Sequence, residues 1–235
     1  HADREVPVVA EYWSADLGAL TWFLAVTGER MMLFDVPLHF TFHRASRAGD
    51  SFDLRTVFDG SLVQARHDLA VTFVDNHDSQ PMQALESTVE PWFKPLAHAL
   101  ILLRGAGFPC VFWADYYGAT YTEQRWGEEP VDVEMASHRQ FVDICLGLRR
   151  DLGDAEQIDA FDHPNVIGWV RRTDALVVVV LMSNGAMGTQ TVATGRPEAV
   201  FVDVGGGIAD PICTDDDGRA EFRCPARGVS IWVAA

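Results

Sequence analysis

Up to about Gly153 the chain alternates short apolar runs with segments of helical period, four times in succession, and that alternation restricts the folds open to it. "VPVVAEYW" reads as a strand, and "DLGALTWFLAVTG" follows with Leu17, Leu20, Phe23 and Leu24 on one helical face and Gly28 as a stop. "MMLFDVPLHF" reads as the second strand and "SFDLRTVFDGSLV" as its helix; "LAVTFVD" is the third strand. "STVEPWFKPLAHALILLRG" predicts a long helix, with Ser87 as cap and Glu90 completing a capping box. "FPCVFWADYYG" predicts a strand running into a loop. "EMASHRQFVDICLGLRRDLG" predicts a helix with an apolar stripe through Phe141, Ile144, Cys145, Leu148 and Leu152. Repeated strand–helix units with nearly continuous apolar strands predict a parallel sheet covered on both faces. Four units are half of the eight in a (β/α)8 barrel, which typically takes about 250 residues.

From Asp154 the pattern changes. "NVIGWVRR", "ALVVVVLMSNG", "AVFVDVGGG", "AEFRC" and "VSIWVAA" are short strands parted by Gly, Asn and Asp, with no helical period, which predicts a small antiparallel β domain. The division is therefore a half-barrel over residues 1–153 and a β domain over 154–235. "VGGGIAD" is followed by neither Lys-Ser/Thr nor a helix, so it is a turn rather than a phosphate loop. "DDDG" lacks the spacing of a calcium loop and reads as a hairpin tip.

Bulk numbers exclude some partners. A net charge of −16 over 235 residues argues against nucleic acid or anionic membrane, because both are bound through clustered Lys and Arg. No apolar run approaches the roughly 20 residues of a membrane span. No secretory leader pattern opens the sequence, but it begins with His1 rather than Met, so compartment stays open. Cys110, Cys145, Cys213 and Cys224 form no metal-binding cluster. All four read as unbridged core thiols, with a Cys213–Cys224 bridge across the "TDDDGRA" turn as the alternative.

In a parallel barrel all strands point the same way, so groups at their C-terminal ends share one rim. Glu11, Asp35, Asp78 and Asp115 each close an apolar strand. Any one of them could be a helix cap. The clusters "EYW" and "DNHD" together point instead to a site, and their neighbours suit a sugar. Aromatic rings (Tyr12, Trp13, Trp113, Tyr116, Tyr117) stack on pyranose faces, while carboxylates hydrogen-bond hydroxyls and supply the acid for glycoside hydrolysis.

"FVDNHDSQP" resembles the seventh-strand motif of the α-amylase family, glycoside hydrolase family 13. "VVAEYWS" resembles its fifth-strand motif and "GFPCVFWADYYG" its eighth-strand motif. "LFDVPLHFTFHRAS" and "QALESTVEPWFKPLAHALIL" are similar to the bacterial liquefying-type enzymes and their intracellular relatives. The resemblance runs from about Val6 to "GVSIWV".

The resemblance implies that Glu11 is the general acid/base and Asp78 the carboxylate that stabilises the oxocarbenium-like state. It also implies that His77 hydrogen-bonds the sugar at the cleavage subsite, that Trp13, beside Tyr12, is an aromatic platform, and that Gln83 lines the cleft. The family's nucleophile lies in a G-x-R-x-D motif on the fourth strand, and the ten residues before Glu11 contain none. A retaining mechanism needs two carboxyls about 5–5.5 Å apart. The expectation is therefore barrel strands five to eight plus the β domain, inactive alone and prone to aggregate through its open sheet edges.

The parent implied is a monomeric retaining endo-hydrolase of α-1,4-glucosidic bonds in starch, glycogen or maltooligosaccharides. A glucan transferase, a maltooligosaccharide-forming relative and a non-catalytic glucan-binding protein are the alternatives. The resemblance also implies Ca2+, with its main site in the N-terminal part of the parent and a further one between barrel and β domain. The positions matching that second site are Asp50, Phe52, Pro164, Asn165 and Asn184, with Asn where the family often carries Asp.

Overall fold

The computed structural model describes residues 7–235; Val6, the first residue of the first expected strand, lies outside them. The barrel part comprises β1 (Val9–Ala10), α1 (Leu17–Val26), β2 (Met32–Phe34), α2 (Val36–Ala48), α3 (Leu62–Ala65), β3 (Ala70–Phe73), α4 (Lys94–Leu102), β4 (Phe108–Cys110), α5 (Trp113–Tyr117), β5 (Ala119–Glu123), β6 (Val131–Met135) and α6 (Arg139–Leu152). Strands β1 to β4 form one parallel sheet in sequence order. Its two edges, β1 and β4, carry exposed apolar residues, among them Val8, Val9 and Phe108.

Local chemistry sets where each element starts. Asp16 caps α1, its carboxylate accepting the Gly18 N–H at 2.8 Å, and Gly28, at φ 70°, turns the chain away after Val26, as the sequence predicts. The apolar run at Met31–Phe40 is not one strand. Asp35 caps α2 from within it and Pro37 occupies the first turn, so the strand ends at Phe34. The predicted helix over "SFDLRTVFDGSLV" is reduced to two 3-10 turns, Gly49–Ser51 and Leu54–Thr56, followed by the short α3.

The long predicted helix begins at Lys94 with Pro95 in its first turn, and Ser87 is not its cap; that hydroxyl meets the His39 ring instead. The segment after β4 folds into α5 and the β5–β6 hairpin, so α6 starts at Arg139 rather than at Glu134. On α6, Cys145 and Leu152 are buried as expected, and Phe141, Ile144 and Leu148 are half-buried against the core.

The remaining strands are β7 (Glu156–His163), β8 (Val166–Arg172), β9 (Val177–Ser183), β10 (Gly188–Ala193), β11 (Val200–Asp203), β12 (Ile212–Cys213), β13 (Arg219–Cys224) and β14 (Gly228–Ala234). A six-stranded antiparallel sheet in the order β12-β11-β14-β9-β8-β7 faces the two-stranded β10–β13 ribbon across a core of Phe201, Phe222 and Trp232. Its other face shares one core with the barrel helices: Trp169, Val180 and Ile231 pack in the same cluster as Leu96, Leu100 and Leu103. Helix α4, buried on all sides, is the layer between the two sheets. Its C-terminal end is met from outside by Arg149, which donates to the carbonyls of Leu102, Arg104 and Gly107, and by the Trp169 indole, which donates to Leu103 at 3.1 Å.

The "VGGG" stretch is a turn wrapped on Asp203, whose carboxylate accepts N–H groups from Gly205, Gly207, Ile208 and Ile231. The cysteines are all free thiols: Cys145 and Cys224 are buried, Cys110 is half-buried, and Cys213 is exposed rather than part of the core. Among the described residues no helix is long and apolar enough to cross a membrane.

Candidate active site

Because β1 to β4 run parallel, the segments that follow them emerge at one end of the sheet. Glu11 leaves β1 directly and is exposed; Asp78 stands in the turn after β3 and is half-buried. The other two strand-end carboxylates are withdrawn from solvent. Asp35 is fully buried and accepts N–H groups from Leu38, Leu62 and Val63, so it caps α2 and anchors the start of α3 at once. Burial raises its pKa, against those three hydrogen bonds. Asp115 is also fully buried, inside α5. Helix capping and core pairing thus account for Asp35 and Asp115, leaving Glu11 and Asp78 as the open pair.

The Asp78 turn is built by its own neighbours. The Asn76 side-chain carbonyl accepts the N–H groups of Asp78 (3.0 Å) and Ser79 (2.8 Å), and the Asn76 N–H donates to the Ser79 hydroxyl. His77 is exposed, with Nε2 3.6 Å from Asp78 Oδ1. Downstream, Tyr121 donates its hydroxyl to the Pro81 carbonyl at 2.6 Å, and the Gln83 amide donates to Glu123 at 3.2 Å, so the β5–β6 hairpin is fastened to this loop.

The aromatic residues take different places. Tyr12 stacks on Phe23 (4.8 Å), and Trp13 leans on His39, Phe40 and Phe73 while keeping part of its ring accessible. Trp113 and Tyr117, 4.2 Å apart, form an exposed pair after β4, 70% and 49% accessible respectively.

Beneath the rim lies a charged cluster that the sequence reading misses. Lys94, the first residue of α4, is buried with Nζ 2.9 Å from Asp75 Oδ2 and in contact with Asp115 Oδ1. Asp75 also accepts from the Val89 N–H and the Ser79 hydroxyl, and so ties Lys94 to the turn that carries Asp78. Burial, more than the nearby Asp115 charge, pushes Asp75 up to about 6 despite Lys94. On Asp115 burial is outweighed by His98 and Lys94, which hold its carboxyl below the usual range. His39, 3.7 Å from Asp75, is driven down to about 4 by burial. In that neutral ring Nδ1–H donates to the Val74 carbonyl (2.6 Å) and Nε2 accepts from Ser87 (2.8 Å). The signal available in the sequence was a lone lysine inside the apolar stretch "PWFKPLAHALILL".

The positions expected to hold an interdomain cation do come together. Asn165 and Asn184 from the β domain meet the Gly49–Phe52 turn of the barrel part. The atoms they present are amide N–H groups as well as oxygens, and none of the described residues forms a group of three or more His, Cys, Asp or Glu able to hold a metal.

Comparison with known proteins places this geometry. The chain is 40% identical over 231 residues to the α-amylase of Geobacillus stearothermophilus, spanning 96% of this chain and 40% of that protein. It is 42% identical over 236 residues to the cytoplasmic α-amylase of Escherichia coli K12, spanning 99% of this chain and 48% of that protein. The chain therefore spans less than half the length of these curated relatives. No family model matches it. Among solved structures, an Anoxybacillus α-amylase aligns over 97% of this chain and 52% of its own with a TM-score of 0.66 at 17% identity, a likeness of fold. The chain is thus similar over nearly its whole length to α-amylases, and its fold is that of the C-terminal half of a (β/α)8 barrel with the β domain that follows it.

Proposed function

We propose that this chain supplies the acid/base side of a retaining endo-hydrolase of α-1,4-glucosidic bonds in starch-like glucans. Glu11 protonates the glycosidic oxygen and then takes a proton from the attacking water. Asp78 and His77 hold the hydroxyls of the distorted sugar, and Trp13 and Gln83 line the cleft around it. The nucleophile belongs to the remainder of the parent enzyme, as does the main calcium site that the family resemblance implies. The observation that carries this reading is the sorting of the four strand-end carboxylates. Asp35 and Asp115 are consumed by structure, while Glu11 and Asp78 stay open at one end of a parallel sheet.

The purified 235-residue chain should release no reducing sugar from soluble starch, and robust turnover would overturn the division of roles. In the parent enzyme Glu11→Gln should lower kcat by about 10²–10⁴, the range for loss of a general acid, with a smaller change in KM. An E11Q parent with unchanged kcat would remove Glu11 from the chemistry.

A further inference from the structure

We infer that Asn165 and Asn184 form a hydrogen-bonded latch that does the work of a bridging cation, so that the barrel part and the β domain of this chain are joined without calcium. A calcium ion at this junction would gather several oxygen atoms converging on it at about 2.3–2.6 Å, from carboxylates, carbonyls or amides, and no N–H donors. The structure presents a different donor set. The Asn184 side chain is fully buried, and its Nδ2 donates to two backbone carbonyls, Gly49 at 2.9 Å and Phe52 at 2.8 Å. Its Oδ1 accepts from Asn165 Nδ2 at 2.9 Å, and that same nitrogen donates to the Asp50 carbonyl at 2.6 Å. Each amide nitrogen thus faces two oxygens, which fixes the orientation of both side chains: flipping either would bring oxygen against oxygen. The remaining expected ligand, the Pro164 carbonyl, accepts the Leu54 N–H at 2.7 Å.

Charge agrees with this reading. A bridging divalent ion gathers negative groups, whereas the β domain brings a cationic side chain to the turn. Arg227 lies with its guanidinium over Trp92, 5.2 Å from the ring centroid, and a side-chain carbon on Gly49 would stand 3.3 Å from Arg227 Nη2. Two N–H donors in place of two carboxylates, with an arginine alongside, neutralise the converging carbonyl dipoles with no ion. Within the β domain the Asn184 N–H donates to the Asn165 carbonyl, and the Arg227 N–H to the Gly185 carbonyl, so the segments that carry the two amides are paired with each other and with their neighbours.

The test is thermal unfolding of the full chain, followed by circular dichroism in EDTA and in millimolar Ca2+, for the native sequence, Asn184→Ala and Asn165→Asp/Asn184→Asp. The native chain and N184A should respond equally to calcium, with N184A less stable by the same amount in both buffers. The double Asp variant should be less stable than native in EDTA and recover in Ca2+. A calcium-dependent rise in the native midpoint that N184A abolishes would overturn the inference. Should the double variant fail to fold, the native–N184A comparison decides alone.

Discussion

Lys94 and Asp75 form a buried ion pair, Nζ to Oδ2 at 2.9 Å, that joins the start of α4 to the strand end from which the Asp78 turn springs. The same ammonium touches Asp115, so a single cation neutralises carboxylates that follow adjacent strands of the sheet. Removing one partner of such a cluster leaves uncompensated charge in a low-dielectric interior, which is more damaging than the pair itself is stabilising.

Lys94→Met should therefore cost about 3–5 kcal/mol of unfolding free energy, the usual penalty for breaking a buried pair. Urea denaturation at pH 7 measures it. Because the lost cation strands two carboxylates, K94M should regain stability on acidification toward pH 5. A K94M chain within about 1 kcal/mol of native at pH 7 would mean that the cluster is solvated in practice.

His39 and Asp75 predict an unusual pH response. His39 is depressed from 6.5 to about 4, so its contribution to stability is complete above pH 6.5 and is lost as pH falls to 4. Asp75 is raised from 3.8 to about 6, so its contribution is complete below pH 3.8 and is lost as pH rises through 6. Between pH 4 and 6 the two oppose each other: the unfolded chain carries the proton on histidine, the folded chain on aspartate. The native slope of stability with pH in that window should be small. Asp75→Asn should leave only the histidine, and its stability should fall with acid by up to about 1.4 kcal/mol per pH unit relative to native. His39→Gln should show the opposite deviation. Parallel slopes for all three proteins would refute the coupling.

Asn76 contributes no charge, yet its carbonyl holds the N–H groups of both Asp78 and Ser79. Under the role proposed for Asp78, Asn76→Ala should lower kcat/KM of the parent enzyme on soluble starch by roughly ten- to a hundredfold, because sub-ångström placement of a carboxylate around a transition state governs rate. The stability loss should stay near 1 kcal/mol, the worth of a neutral hydrogen bond. An equal fall in stability and activity would make the turn a folding element rather than a positioning one.

The parallel sheet and the change to β structure after α6 were legible because they rest on period and apolar continuity, which a sequence displays directly. Element ends were less so. "MMLFDVPLHF" looks like one strand until Asp35 and Pro37 are weighed as a cap and a first-turn proline, both visible in hindsight. The β5–β6 hairpin alternates in "ATYTE" and "VDVEM", but charged edge residues diluted the signal. Glu11, His77 and Asp78 could be singled out because polar clusters closing apolar strands are unusual. Lys94 could not be placed, since its meaning depends on Asp75 and Asp115 arriving from two other segments.

Trp169 supplies the last prediction. Its ring is fully buried in the core that the barrel helices share with the β sheet, and its indole N–H donates to the Leu103 carbonyl, just past the end of α4. Two contributions are therefore separable by substitution. Trp169→Phe keeps most of the apolar surface and loses the hydrogen bond, leaving a buried carbonyl short of one donor, a cost of about 1–3 kcal/mol. Trp169→Ala opens a large cavity as well, a cost of about 3–5 kcal/mol for an aromatic truncated to alanine. If the β domain and barrel part unfold as one unit, both variants should shift a single cooperative transition, seen at the same denaturant concentration by tryptophan fluorescence and by far-ultraviolet circular dichroism. If W169A instead splits the curve into two transitions, the shared core does not couple the parts, and the central place given to α4 between the two sheets would have to be abandoned.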